Sequence, residues 1–377
     1  MKLILSLQSV SGLFAEKALG IVLVLGVFQA ILYNFFSISI PIVTLFVFLS
    51  IFLNYISEGS VIVNRTFLFY STLFVLVTFY GVIISMESFK DLFYLLNFPI
   101  LLIWVTSLKN RPVKGLKSFY KLLIIYSLIS VLIYFFFWDI FANIYQLNKG
   151  HQLGIRTSGI PRSYGLVFNP LSNAYVLLIG IAIYLFFERR HSIVLVIFIA
   201  ALILALVRLS MISLVLILVS YLVYMKKFFS IALAIILLVC FYFFIPSVNT
   251  IVNGVLTLSD SQGSTQLHVE HFLYGLLYLK DDLIGQGIVN DPIESWYFKY
   301  TVLFGVLGFI VFTFWLLTYG YLLGARKNIF GAMLFFSFLP VFIGIPFNEF
   351  NLPMTLFSIM LALFWNNNRN EFKESLN

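Results

Sequence analysis

The chain has 377 residues, of which 62% are hydrophobic and only 10% charged, and its mean hydropathy is +1.04. A water-soluble fold keeps roughly a quarter of its residues charged, so these side chains are too few to solvate a 43.3 kDa particle and most of its surface must face lipid. The net charge of +8 would suggest nucleic acid as a partner of a soluble chain, but in a membrane protein Lys and Arg collect on the cytoplasmic side, so the excess reads as topology and excludes nucleic acid.

A spanning helix needs ~20 mainly apolar residues. Breaks at charges, Asn/Ser clusters and prolines predict an all-α, polytopic integral membrane protein, one transmembrane domain over 1–377 with about twelve helices. Residues 1–17 form an amphipathic stretch suited to the interface, with no cleavable signal peptide. Spans are expected at 18–34, 36–56, 66–85, 91–107, 119–138 and 165–187. Next come 192–207 and 210–225, separated because Arg208 interrupts the apolar run, then 228–246, 297–323, 329–347 and 352–365. Cys240, the single cysteine, excludes an intramolecular disulfide and a cysteine-based metal cluster.

An even number of spans puts both termini on one side. Assigning that side to the cytoplasm gathers most basic residues there and leaves seven of the 23 elsewhere: Lys90, Lys149, Arg156, Arg162, Arg208, Lys280 and Lys299. Two long extracytoplasmic loops follow, 139–164 and 247–296. Cytoplasmic connectors are short and no GxxxxGK[ST] occurs, so the chain takes no energy from ATP itself.

The chemistry-bearing residues sit in or near those two loops. Arg156 and Arg162, six apart in HQLGIRTSGIPRSYGLVFNPLSNAYVLLIG, suit a phosphate or pyrophosphate, which guanidinium groups bind bidentately; headgroup snorkelling is the blander explanation. An Arg at a helix centre costs ~2.5–3.5 kcal/mol on insertion scales. With no acid within fifteen residues, Arg208 in ALILALVRLSMISLVL points to an anionic ligand or to a distant acidic partner. His268 suits a base or hydrogen-bond donor. His268, Glu270 and His271 do not match the H-E-x-x-H arrangement, so no metal is expected. Gly285-Gln286-Gly287 lacks the preceding strand and third glycine of a dinucleotide loop and reads as a tight turn against sugar or backbone. Glu294, beside Trp296 and Tyr297 at the expected outer boundary, suits a base or a sugar ligand, or else marks a helix N-terminus.

Four patches together resemble the Wzy-type O-antigen and capsular polysaccharide polymerases, within the O-antigen ligase-like superfamily: RSYGLVFNPLSNAYVLL, ALVRLSMISLVL, STQLHVEHFLYGLLYLKDDLIGQG and ESWYFKYTVLFGVLGFI. The likeness covers roughly 150–310, with His268 at the family histidine; Glu294-Ser295 stands where ligases show His-Asn, and Gln266 where an arginine is usual. The resemblance implies a glycosyltransferase of the bacterial plasma (inner) membrane that joins undecaprenyl-pyrophosphate-linked repeat units at its outer face, without metal or other cofactor. It implies that Arg156, Arg162 and Arg208 hold the pyrophosphate and that His268 or Glu294 activates the acceptor hydroxyl. Lipid-linked glycans and membrane lipids are then the partners, with a chain-length regulator protein as a further candidate. An O-antigen ligase is the nearer alternative. A lipid-linked oligosaccharide flippase is the alternative of another class, although transporters show repeats and midplane charge that are not evident here.

Overall fold

The structure, a computed structural model, describes residues 2–38, 40–58, 63–108, 111–149, 161–188, 192–227, 270, 273–275, 277–280, 282–289, 295–326, 328–344, 347 and 350–366. Among these residues the regular elements are helical, and the only β-type pairing is an isolated parallel bridge between Met86 and Ile288. In chain order the helices are α1 (Lys2–Glu16), α2 (Ala18–Phe36), α3 (Ile42–Glu58), α4 (Arg65–Ile84), α5 (Phe89–Ser107), α6 (Leu116–Phe136) and α7 (Trp138–Lys149). They continue as α8 (Pro170–Phe187), α9 (Ile193–Leu204), α10 (Arg208–Tyr224), α11 (Trp296–Ala325), α12 (Ile329–Phe336), α13 (Leu339–Gly344) and α14 (Asn351–Asn366). Helices α2, α4, α6, α8 and α11 are long and apolar enough to cross a membrane, and α3, α5, α9, α10 and α14 are shorter apolar helices.

Polar side chains cap the starts of several helices. Asn64 accepts from the amide of Thr66 at the head of α4, and Ser88 from that of Asp91 at the head of α5. One end of the bundle collects the basic residues. Lys114 pairs with Glu16 at 3.2 Å, joining the end of α1 to the turn before α6. Phe67, at the start of α4, packs its ring on Tyr319 and Trp365 near the ends of α11 and α14. The Arg326 guanidinium lies 4.3 Å over the Trp365 ring and donates to the Trp365 carbonyl at 3.1 Å. Tyr224, closing α10, stacks on Phe330 at the start of α12, and Phe330 also stacks on Phe186 of α8. Helices α2, α4, α6, α9 and α12 therefore begin at this basic end, whereas α5, α8, α10, α11 and α14 finish there.

The core lies where α8 and α14 run through the middle, each buried along nearly its whole length. An aromatic knot of Phe74, Phe98, Trp296, Phe312 and Trp315 fills the space beside them, mostly edge to face at centroid distances of 5.0–6.2 Å.

Three expectations change. The stretch 139–164 does not begin as a loop, because α7 occupies its first half, with Asp139 in the first turn where a carboxylate suits the helix dipole. The run 329–347 is two helices, α12 and α13, parted at Ser337 and Phe338. The run 297–323 is not one straight span, because Gly305 has φ 59° and ψ −143° and breaks α11 into an arm, 296–304, and a following helix, 306–325. The expected span 228–246 lies outside the described residues.

The arm folds back on the helix that follows it. Tyr297 donates to or accepts from Thr313 at 2.8 Å, its ring meets Phe309 and Phe312, and Trp296 packs on Phe312 and Trp315. A nine-residue arm is roughly 13 Å long at 1.5 Å per residue. Its first residue, Trp296, is thus buried inside the bundle against Phe98, Phe342 and Phe347 rather than at the end where the chain turns.

Candidate functional site

The segment 161–169 leads into α8 at the end away from the basic one, and hydrogen bonds hold it at both ends. Asn169 caps α8, its Oδ1 accepting from the Ser172 amide at 3.0 Å, and Pro170 takes the first helical position, where its missing N–H is no loss. Upstream, the Trp138 indole donates to the Arg162 carbonyl at 2.9 Å, and the Trp138 ring stacks on Tyr164. Between these points Asn173 of α8 donates to Ser163 at 3.4 Å and accepts from the Tyr126 hydroxyl at 2.8 Å. The segment is therefore a fixed lead-in to α8, with Arg162 on it.

The α9–α10 break sits against this segment. The Ser163 amide donates to the Leu204 carbonyl, the last of α9, at 2.8 Å. Leu206 takes a left-handed conformation, φ 51°, and α10 opens at Arg208. Val207 precedes it in an extended conformation, and no side chain caps the N-terminus. The first amides of α10 are therefore left at the α9–α10 break, where Arg208 is the first helical residue. Two hydroxyls follow, Ser210 and Ser213, both fully buried and without a hydrogen-bond partner among the described residues. Ser127 and Ser130 in α6 instead bond the carbonyl four residues back. For Ser210 that residue is Leu206, inside the break. An uncapped helix N-terminus beside a guanidinium suits an anion, because the end of the helix dipole and the orphan N–H groups act together.

A separate structure is formed by the arm 296–304 with the segment 282–289. The fold-back at Gly305 would orphan the last carbonyls of the arm. Gln286 and Gly287 fill that role, their amides donating to Val302 and Leu303 at 3.0 and 2.9 Å, while Val306 donates to Leu283 at 3.1 Å. The same segment reaches α4 and α5: Ile288 donates to Ser85, and Glu87 and Ser88 donate to Ile288. Gly285 and Gly287 both have positive φ, and a Cβ at either would come within 2.5–2.6 Å of backbone at Gly305 or Ser85. The Gly-Gln-Gly signature thus packs against backbone, and not against a phosphate. Asp282 starts the segment, accepting from the amides of Ile284 and Gly285 and from the Tyr278 hydroxyl at 2.7 Å. The Tyr278 bond and the two amides hold the Asp282 carboxyl below its ordinary pKa. Burial, and then the Asp282 carboxylate, raise that of Tyr278.

Of the expected site residues, Arg162 and Arg208 are described, and the Ser163–Leu204 bond ties their segments together. Arg156, His268 and Glu294 lie outside the described residues, as does His271. Ser295, next to Glu294, caps the arm by accepting from Phe298 at 3.1 Å, so the helix N-terminus falls one residue later than Glu294. Sequence reasoning missed one charged pair altogether. Lys299, on the arm, donates to Asp91 in the first turn of α5 at 3.1 Å, and both side chains are buried. The signal was there: Lys299 is one of the basic residues not assigned to the cytoplasmic side, and it sits inside an apolar run.

Comparison of the chain with protein-family models, with curated proteins and with solved structures finds no match.

Proposed function

We propose that the protein is a polysaccharide polymerase of the Wzy type, a glycosyltransferase acting on glycans carried by undecaprenyl pyrophosphate. In this reading about twelve membrane crossings leave both termini in the cytoplasm and the end opposite the basic residues at the outer face of a bacterial plasma membrane. The observation that carries the reading is the joining of Arg162's segment to the α9–α10 break, where Arg208 opens a helix with no side-chain cap whose buried Ser210 and Ser213 hydroxyls have no hydrogen-bond partner among the described residues. A pyrophosphate leaving group accumulates negative charge as its bond to the sugar breaks, and fixed donors aimed at that charge are often the largest catalytic contribution.

The transfer balances simply. The acceptor hydroxyl attacks the anomeric carbon of the donor glycan, the carbon–oxygen bond to pyrophosphate breaks, and undecaprenyl pyrophosphate departs with the electron pair. His268 or Glu294 receives the hydroxyl proton, and Arg156, Arg162 and Arg208 bind the departing pyrophosphate. The glycosyl–pyrophosphate bond that breaks supplies the driving force, in keeping with the absence of a GxxxxGK[ST] motif from the sequence.

The test is Arg208→Ala in the native host, read by gel analysis of surface polysaccharide and of lipid-linked intermediates. Long polymer should disappear while single lipid-linked repeats accumulate, a loss of at least about 100-fold for one lost electrostatic donor. Normal chain lengths would overturn the assignment. Purified protein in closed vesicles separates the flippase alternative, since polymer must form from lipid-linked repeats without translocation. Supplying a lipid A-core acceptor detects a ligase.

A further inference from the structure

We infer that a cavity lined by neither Arg162 nor Arg208 binds the uncharged, hydroxyl-rich head of an amphiphile whose tail lies in the membrane. The cavity measures about 570 Å³ and lies between α2, α3, α5, α8 and α14 in the half of the bundle away from the basic end. Ligand pockets typically hold roughly 300–1,000 Å³, so this one has room for a small saccharide. None of the described residues that line it carries a formal charge. An anionic head would find no counter-charge there.

Part of the polar lining is a series of two amides and a hydroxyl. Asn97 of α5 donates to Asn351 Oδ1 of α14 at 2.9 Å, and Asn351 donates to Thr44 Oγ1 of α3 at 2.9 Å. Gln29 Oε1 accepts from the Val43 amide at 3.2 Å, and Asn169 Oδ1 is taken by the α8 cap. These bonds use both functions of Asn351 and one function of each other group, and each group keeps further hydrogen-bonding capacity. The Asn97 side-chain oxygen, the second Asn351 N–H, the Thr44 hydroxyl hydrogen, the Gln29 NH2 and the Asn169 NH2 remain to meet a ligand. Donors and acceptors interleaved in this way suit a polyol, which offers both at every hydroxyl. A pure acyl chain would strand those amides, at a desolvation penalty that hydrophobic contact does not offset.

The mouth has the opposite character. Phe93 is 62% exposed, Phe48 48% and Ile38 41%, whereas Val43 and Val47, deeper in the lining, are 1% exposed. An apolar mouth on a surface that faces lipid admits a tail, and an amide interior receives the head. The cavity's chemistry is independent of the polymerase reading and is the same whether or not the chain transfers sugars.

The probe is an octyl β-glucoside carrying a diazirine in its tail, photolysed with the full-length protein in phosphatidylcholine nanodiscs, with mass spectrometry locating the label. Label at Phe48 or Phe93, displaced by plain octyl glucoside but not by octyl phosphate or octanol, supports the inference. In Asn97→Leu and in the near-isosteric Thr44→Val, half-saturation should shift roughly tenfold, as expected when one or two neutral hydrogen bonds are lost. Thermal melting identifies any variant that has not folded, and Thr44→Val then carries the test. Arg208→Ala should label as wild type does, which keeps this outcome separate from that of the polymer assay. Equal displacement by octyl phosphate or octanol, or an unchanged affinity in Thr44→Val, overturns the inference.

Discussion

At the scale of single residues, the Asp91–Lys299 pair is the feature most exposed to test. Two charges 3.1 Å apart and out of solvent are tolerable together and poorly tolerated singly. Lys299→Met alone should destabilise the folded protein by about 3–5 kcal/mol, because Asp91 is left buried without its partner. The double variant Lys299→Met with Asp91→Leu should recover most of that loss. Melting temperatures of the purified wild type, both single variants and the double variant close the cycle. Additive effects of the two substitutions would show that the pair is not coupled. Residue types alone revealed that Lys299 needed a reason, but not which reason, since its partner lies 208 positions away. The same holds for Asn97 and Asn351, 254 apart. By contrast, Asn169 and Pro170 announce a helix start within their own turn, and Arg208 marks the α9–α10 break by its charge alone.

At the scale of elements, the arm 296–304 was hidden because hydropathy is continuous through it. Every window across 297–323 is apolar, so a span is expected, and only the backbone at Gly305 shows that the chain reverses. The fold-back depends on the segment 282–289 to occupy its orphaned carbonyls, and Asp282 fastens that segment at its start. The Asp282 carboxyl titrates below its ordinary value, so its contribution is complete above the ordinary carboxyl pKa of about 3.9. That contribution is lost as pH falls from there through the lowered value. Hydrogen-exchange protection at Ile284 and Gly285 should therefore drop in acid, and Asp282→Asn should abolish the acid dependence. Protection that stays constant across that range would mean that the carboxylate does not hold the turn.

At the scale of the whole molecule, the placement of charge and the placement of polar chemistry divide the bundle lengthwise. Basic side chains gather at one end, while the Arg208 break, the arm's glycine turn and the amide cavity occupy the other half. With Cys240 replaced, single cysteines at Lys114→Cys and Asp282→Cys should report opposite sides to a membrane-impermeant maleimide in intact cells. Labelling should occur at 282 without lysis and at 114 only after it. Labelling of both before lysis would contradict the two-sided arrangement. The gathering of basic side chains was legible in composition and in the basic turns, since charge is scarce here and each charged residue is informative. Depth within the bundle was not legible, because lipid-facing and buried helix surfaces use the same apolar side chains.

The position of α14 has a consequence for how such a chain is made. This helix is buried almost all round, it supplies Asn351 to Asn97 and Thr44, and its Trp365 receives Phe67 and Arg326. Yet it follows every other helix described here in order of synthesis. The earlier helices must enter the bilayer and wait with their inner faces turned to lipid, or loosely to one another, until the ribosome has delivered it. Lipid is a tolerable placeholder for apolar faces but a poor one for Asn97 and Thr44, whose mutual partner has not yet been translated. Assembly of this bundle is therefore gated from its C-terminal side, and the cavity that Asn351 completes exists only once that gate has closed.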